Sequence, residues 1–177
     1  VTGTIITRVY FGDFPAFIIP GHSIVSFWEF PAFALLGIVC ALTAIIFLRS
    51  IEFTSDVISK IPVPQWLKPM GGGLCVGVIA LAFPQVLGVG YEATDIALKG
   101  QYELAILVAL IAAKTAATAI CIGAGFGGGV FSPSMFIGAM VGGAFGVLAA
   151  LPFPELVSSL GAYTITGMGA LTAAVFG

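Results

Sequence analysis

The sequence predicts an all-α, multi-pass membrane domain assembled from broken and tilted helices. Three observations carry that prediction. Of 177 residues, 59% are hydrophobic and only 8% are charged, with a mean hydropathy of +1.16; a soluble domain carries about a quarter charged residues. Several apolar stretches approach the roughly 20 residues that a bilayer requires: Phe30–Leu48, Leu104–Ile122, Met70–Val89 with Pro84 inside it, and Ser134–Leu151. The 24 glycines lie scattered among Leu, Ile, Val and Phe, as closely crossed membrane helices require, and form no linker.

The elements follow in chain order. Val1–Phe11 reads as the tail of a helix. Gly12–Glu29 is a connection holding Asp13, His22 and Glu29 but no Lys or Arg. Phe30–Leu48 spans, and its helix is expected to pass Arg49 by one or two turns before the turn at Pro62 and Pro64. The connection Arg49–Pro69 carries Arg49, Lys60 and Lys68, so the positive-inside rule puts it on the cytoplasmic side and Gly12–Glu29 outside. Trp66 and Lys68 suit the membrane–water interface. Gly71-Gly-Gly73 opens the next segment. Gly88–Asp95, with Glu92, Asp95, Lys99 and Glu103 around it, reads as a wet external connection before the span at Leu104. Gly138, Gly142 and Gly146 form a small-residue ladder for helix packing. Thr164–Gly177 reads as a helix that continues. With both ends inside helical patterns, residues 1–177 are expected to be part of one transmembrane domain cut at both ends. No signal-peptide layout opens the chain, and the expected location is a cell (inner) membrane.

Enzymatic chemistry has no visible machinery. There is no nucleophile–base pair, no metal-ligand cluster and no pair of acids flanking a cleft; the chain is expected not to be an enzyme and to need no cofactor. A net charge of −2 gives no reason to invoke nucleic acid. Cys40, Cys75 and Cys121 are odd in number, match no zinc spacing and lie in apolar segments. His22 reads as a surface histidine. Gly123-x-Gly125-x-x-Gly128 fits the dinucleotide pattern in letters only, because a helical span precedes it and the next acid is Glu155. No Lys-Ser/Thr follows, which also excludes a P-loop.

The run Gly123-Ala-Gly-Phe-Gly-Gly-Gly-Val-Phe-Ser-Pro133 breaks the path between two apolar segments. A helix is expected to restart at Pro133, where a missing N–H costs nothing. Gly127, Gly128 and Gly129 let the backbone turn and let a ligand approach without a Cβ in the way. The amides of Val130 and Phe131 fall just before the new helix. A helix N-terminus has unpaired N–H groups and partial positive charge, a place to hold an anion. Broken helices at membrane depth line cavities and hold ions loosely enough to release them. Lys114, mid-span, either raises the potential near this break or bonds carbonyls to hold two helices together.

These residues resemble a known family. Gly129-Val-Phe-Ser-Pro133 matches the G-x-F-x-P motif of the CLC chloride channels and chloride/proton antiporters. The run from Lys114 through Gly123, Gly125 and Gly127–Gly129 to Phe136-Ile-Gly-Ala-Met140 and Gly142–Gly146 is similar to the family's stretch around it. Gly167-Met-Gly-Ala-Leu171 and Thr7–Pro15 resemble flanking segments. The resemblance implies an antiparallel inverted-repeat fold, one pore per subunit of a homodimer, and a chloride ion coordinated by the amides of Val130 and Phe131, with Phe131 lining the pore. It also implies that this chain holds most of the second repeat and the tail of the first. The family's G-S-G-I-P and G-K/R-E-G-P motifs and its pore tyrosine segment are not among these residues.

Chloride movement, passive or proton-coupled, is therefore the expected function. Two others use the same residues: a broken-helix transporter for a small carboxylate, and a structural membrane subunit whose glycines serve packing alone.

Overall fold

The computed structural model describes residues 5, 8–10, 12, 29–151 and 159–177. Their main elements are helices: α1 (Glu29–Ser59), α2 (Lys68–Ala82), a 3-10 turn (Pro84–Val86), α3 (Tyr91–Leu98), α4 (Leu104–Gly123), α5 (Phe131–Ala150) and α6 (Leu160–Phe176). Among the described residues, three helices, α1, α4 and α5, are long and apolar enough to cross a membrane. The expected connection through Asp13 and His22 lies outside the described residues, as does the expected helix at Val1–Phe11 apart from Ile5 and the helical Arg8–Tyr10.

Helix α1 runs unbroken past Arg49 to Ser59, farther than the sequence pattern predicts. Its polar residues there satisfy themselves: the hydroxyls of Ser50 and Thr54 donate to the carbonyls of Ile46 and Ser50, each at 2.7 Å. Glu29, expected in the outer connection, instead starts the helix and is buried. One stripe of α1 (Leu36, Cys40, Ala44 and Phe47) enters the core, while Leu35, Ile38, Leu42 and Ile46 stay exposed, the outward apolar face that a lipid-facing helix carries.

Met70–Val89 is not one span. Helix α2 begins at Lys68, with Pro69 in its first turn, and stops at Ala82. Pro84 removes a donor and pushes the preceding residue out of helical geometry; Phe83 accordingly has φ −131° and ψ 76°. The three glycines lie in its opening turns. Gly72 sits where a Cβ would be 2.6 Å from that of Ala124, so α2 crosses the end of α4 at close range.

The segment expected to be a wet connection holds helix α3. Gly90, at φ 82°, turns the chain into it. Ala93, Thr94, Ala97 and Leu98 are buried on one face, which packs on α5 and α6, while Lys99 pairs with Asp95 at 2.5 Å on the exposed side. Gly100 ends it at φ 66°, with Gln101 N–H reaching back to the Ile96 carbonyl at 3.2 Å, the bond of a Schellman cap.

Helix α5 is the centre of the fold. Phe136, Ile137, Ala139, Met140 and Val141 are buried in the core cluster with Leu107 and Leu110 of α4 and Tyr163 and Leu171 of α6. Gly138 and Gly142 meet the α6 backbone, and Gly146 meets Leu160 and Tyr163. The ladder is a packing surface.

Candidate anion-binding site

The break between α4 and α5 is built by helix-end chemistry. Helix α4 closes in a Schellman motif: Phe126 N–H donates to the Cys121 carbonyl and Gly125 N–H to that of Ile122, both at 3.0 Å. Gly125 adopts φ 88°, the left-handed conformation that the motif demands. The turning is thus done at Gly125. Gly127, Gly128 and Gly129 are absent from the positive-φ glycines, and a Cβ on any of the three would meet nothing within 4 Å. Their contribution is open space in front of exposed backbone.

Helix α5 starts two residues earlier than expected, at Phe131 rather than Pro133. Val130 is its N-cap, with φ −86° and ψ −6°. The first intrahelical bond runs from Ser134 N–H to the Val130 carbonyl at 2.9 Å. Proline is tolerated throughout the first turn because no N–H there has an intrahelical partner, and Pro133 occupies the last such position. The N–H groups of Val130, Phe131 and Ser132 are therefore left without intrahelical acceptors. The sequence places the amides of Val130 and Phe131 at this break. The N–H of Ser132 joins them only because the helix starts at Phe131.

Two cavities flank this N-terminus, and a third, of about 540 Å³, touches it at Phe131 and Met135. One, of about 320 Å³, is lined by Gly127, Gly128, Gly129, Pro133, Lys114 and the Val86–Gly88 strand of loop. The other, of about 150 Å³, is lined by Phe131, Ser132, Phe136, Met168, Thr94 and their neighbours. The exposed Phe131 ring borders this second cavity and lies 5.9 Å from the ring of Phe176, centroid to centroid.

Lys114 is buried in α4. Its Nζ donates to the carbonyls of Val86 and Gly88, each at 2.8 Å, and lies 4.9 Å from the centre of the Phe136 ring. These partners are neutral, so the charge is solvated but not cancelled. Lys114 therefore holds the 86–88 loop against α4 and at the same time lines the cavity of about 320 Å³. Of the two expectations for this lysine, the one in which it bonds carbonyls to hold two segments together is seen here as direct contacts.

The two serines of the first turn differ. Ser134 Oγ donates to the Phe131 carbonyl at 2.7 Å. Ser132 Oγ is buried and has no hydrogen-bond partner among the described residues. No group of three or more His, Cys, Asp or Glu among the described residues is arranged to hold a metal ion.

The family model described as voltage gated chloride channel matches residues 1–177. The chain is 33% identical to "Chloride channel protein CLC-e" of Arabidopsis thaliana over 99% of this chain and 27% of that protein. It is 32% identical to "Putative chloride channel protein ClcB-like" of Ralstonia nicotianae over 98% of this chain and 41% of that protein. It is 29% identical to "H(+)/Cl(-) exchange transporter ClcA" of Salmonella agona over 98% of this chain and 38% of that protein. The chain thus spans between a quarter and a little over two-fifths of the length of these relatives.

Proposed function

The chain belongs to the voltage gated chloride channel family, and from that premise we propose that it forms part of a chloride-moving membrane domain whose anion rests on backbone amides at the start of α5. The single observation that carries this is the position of the first helix bond. With Ser134 N–H bonded to Val130, the amides of Val130, Phe131 and Ser132 are presented together at the positive end of a 20-residue helix. The open backbone at Gly127–Gly129 and the two flanking cavities give an ion room to approach.

Partial charges suit this task. A dipole end attracts a halide without a mobile counter-charge that would trap it, and conduction needs binding that is strong enough to enter and weak enough to leave. Lys114 adds a fixed positive charge at a remove, because its own donors are directed to the Val86 and Gly88 carbonyls. Phe131, exposed at the break, serves as an apolar wall of the path. The same reading includes a subunit paired as a homodimer in the cell membrane, and either passive or proton-coupled transport; relatives are named both as a channel protein and as an exchange transporter.

Isothermal calorimetry on the purified protein, as its gene encodes it, tests the reading. Chloride should bind with measurable heat and should be displaced by bromide rather than by acetate. Preferential binding of a small carboxylate would make the chain a carboxylate transporter. No anion binding at all would leave the glycine break as packing alone.

A further inference from the structure

Among the described residues, the hydroxyl of Ser132 is the one buried polar side-chain group at the proposed anion site without a hydrogen-bond partner. Several hydroxyls elsewhere in these helices bond back to a carbonyl one turn earlier: Thr43 to Val39, Thr94 to Gly90, Thr118 to Lys114, Ser134 to Phe131 and Thr164 to Leu160. That route is closed to Ser132. The residues three and four positions before it are Gly129 and Gly128, which precede the helix, so their carbonyls are not stacked beneath it. The first turn of a helix is rich in donors and poor in acceptors. A buried hydroxyl there, Ser132 Oγ, finds no acceptor among the described residues, although a buried polar group in a native protein ordinarily has one. The residue also lines the cavity of about 150 Å³ beside Phe131, several times the roughly 30 Å³ that a water takes up in the liquid.

We propose that Ser132 supplies a side-chain O–H donor to the bound anion, beside the backbone amides, and so helps to set its affinity. The inference rests on the amide-site reading given above. An anion at the N-terminus of α5 meets both the surplus of N–H donors and the missing acceptor for the hydroxyl. Donors that differ in kind also matter for discrimination. The amides are fixed by the helix, whereas the hydroxyl rotates about one bond and can follow a small ion.

The test compares the native protein, as its gene encodes it, with Ser132→Ala and Ser132→Thr. Each is measured for chloride affinity by calorimetry, and for melting temperature in gluconate and in chloride. Ser132→Ala should weaken chloride binding roughly tenfold, as the loss of one hydrogen bond to a charged group implies. It should leave the melting temperature in gluconate equal to or above that of the native protein, because an unsatisfied hydroxyl has been removed, and it should shrink the rise in melting temperature that chloride gives. Ser132→Thr, which keeps the hydroxyl, should retain affinity. Unchanged chloride affinity in Ser132→Ala would overturn the proposal, since the hydroxyl then does not touch the anion, as would an equal loss of melting temperature in both salts, which places the hydroxyl in an internal bond. If the native protein itself shows neither chloride heat nor a chloride-dependent melting shift, the amide site falls, and Ser132 falls with it. A chloride response in the native protein that Ser132→Ala leaves intact removes only Ser132.

Discussion

Gly138 of α5 and Gly167 of α6 face each other so closely that a Cβ on Gly138 would lie 2.5 Å from the Gly167 carbonyl oxygen. At Gly142, one turn on, the same atom would run into the Tyr163 carbonyl, and a Cβ on Gly167 would be 2.7 Å from Gly142 Cα. The two backbones touch because three side chains are missing. Lipid offers helices no hydrophobic drive to associate, so close packing of this kind must hold them. Gly142→Ala should therefore destabilise the protein by about 1–3 kcal/mol, the usual cost of overpacking, read as a lower unfolding midpoint in detergent. Gly37→Ala in α1, where a Cβ meets nothing, should be neutral or gain about 0.5–1 kcal/mol from helix propensity.

A second close approach sets the loop beside the candidate anion site. Gly90 stands at φ 82°, and a Cβ there would collide with the ring of Phe136, the ring that Lys114 overlies. Gly90→Ala meets two penalties at once: the left-handed backbone costs about 1–2 kcal/mol, and the overlap about 1–3 more. Loss of folded yield, or a marked drop in thermal stability, is the expected outcome. A tolerated Gly90→Ala would show that the loop can move away from Phe136.

Parts of this structure were legible from residue order and parts were not. Composition fixed the class, and apolar length found the spans that became α1, α4 and α5. The ladder Gly138, Gly142, Gly146 was readable because one-turn spacing is a local property. Pro84 was visible within Met70–Val89, but whether a proline kinks a helix or ends it depends on what accepts the freed groups, and here α2 ends at Ala82. Helix α3 was hidden because its buried face is Ala93, Thr94, Ala97 and Leu98, and a single large apolar residue beside three small or polar ones does not register as a hydrophobic stripe. At the candidate site, Val130 and Phe131 follow from the glycine run and the proline. The partnering of Lys114 with Val86 and Gly88 does not, since those carbonyls lie 28 and 26 positions away. Nor does the stranded Ser132 hydroxyl, which appears only once the helix is seen to begin at Phe131.

Lys114→Met separates two contributions of the lysine. It deletes two charge-assisted hydrogen bonds and leaves the carbonyls of Val86 and Gly88 without that donor. A loss on the order of 2–3 kcal/mol is expected, seen as a lower melting temperature with or without chloride. Lys114→Arg keeps the charge in a larger, planar group whose fork does not match a point-like ammonium site. It should recover chloride affinity better than it recovers stability. If Lys114→Met lowers stability while affinity per folded molecule is unchanged, the lysine acts on the loop alone.

Gly125 and Gly129 sit in the same break and make opposite predictions. Gly125 holds φ 88° at the end of α4, so Gly125→Ala should cost about 1 kcal/mol in stability through backbone strain. Space is not the issue there, since a Cβ at Gly125 meets nothing within 4 Å. Gly129 has neither a positive φ nor a neighbour within reach of a Cβ. Gly129→Val should therefore leave the melting temperature in chloride-free buffer nearly unchanged. It does, however, place a branched side chain beside the Val130 and Phe131 amides and stiffens the backbone that presents them. Chloride affinity should fall severalfold with no change in net charge. Calorimetry paired with thermal unfolding distinguishes the two effects: an anion site made of peptide hydrogens requires Gly129→Val to change binding without changing stability, and the reverse result would make Gly129 a packing residue.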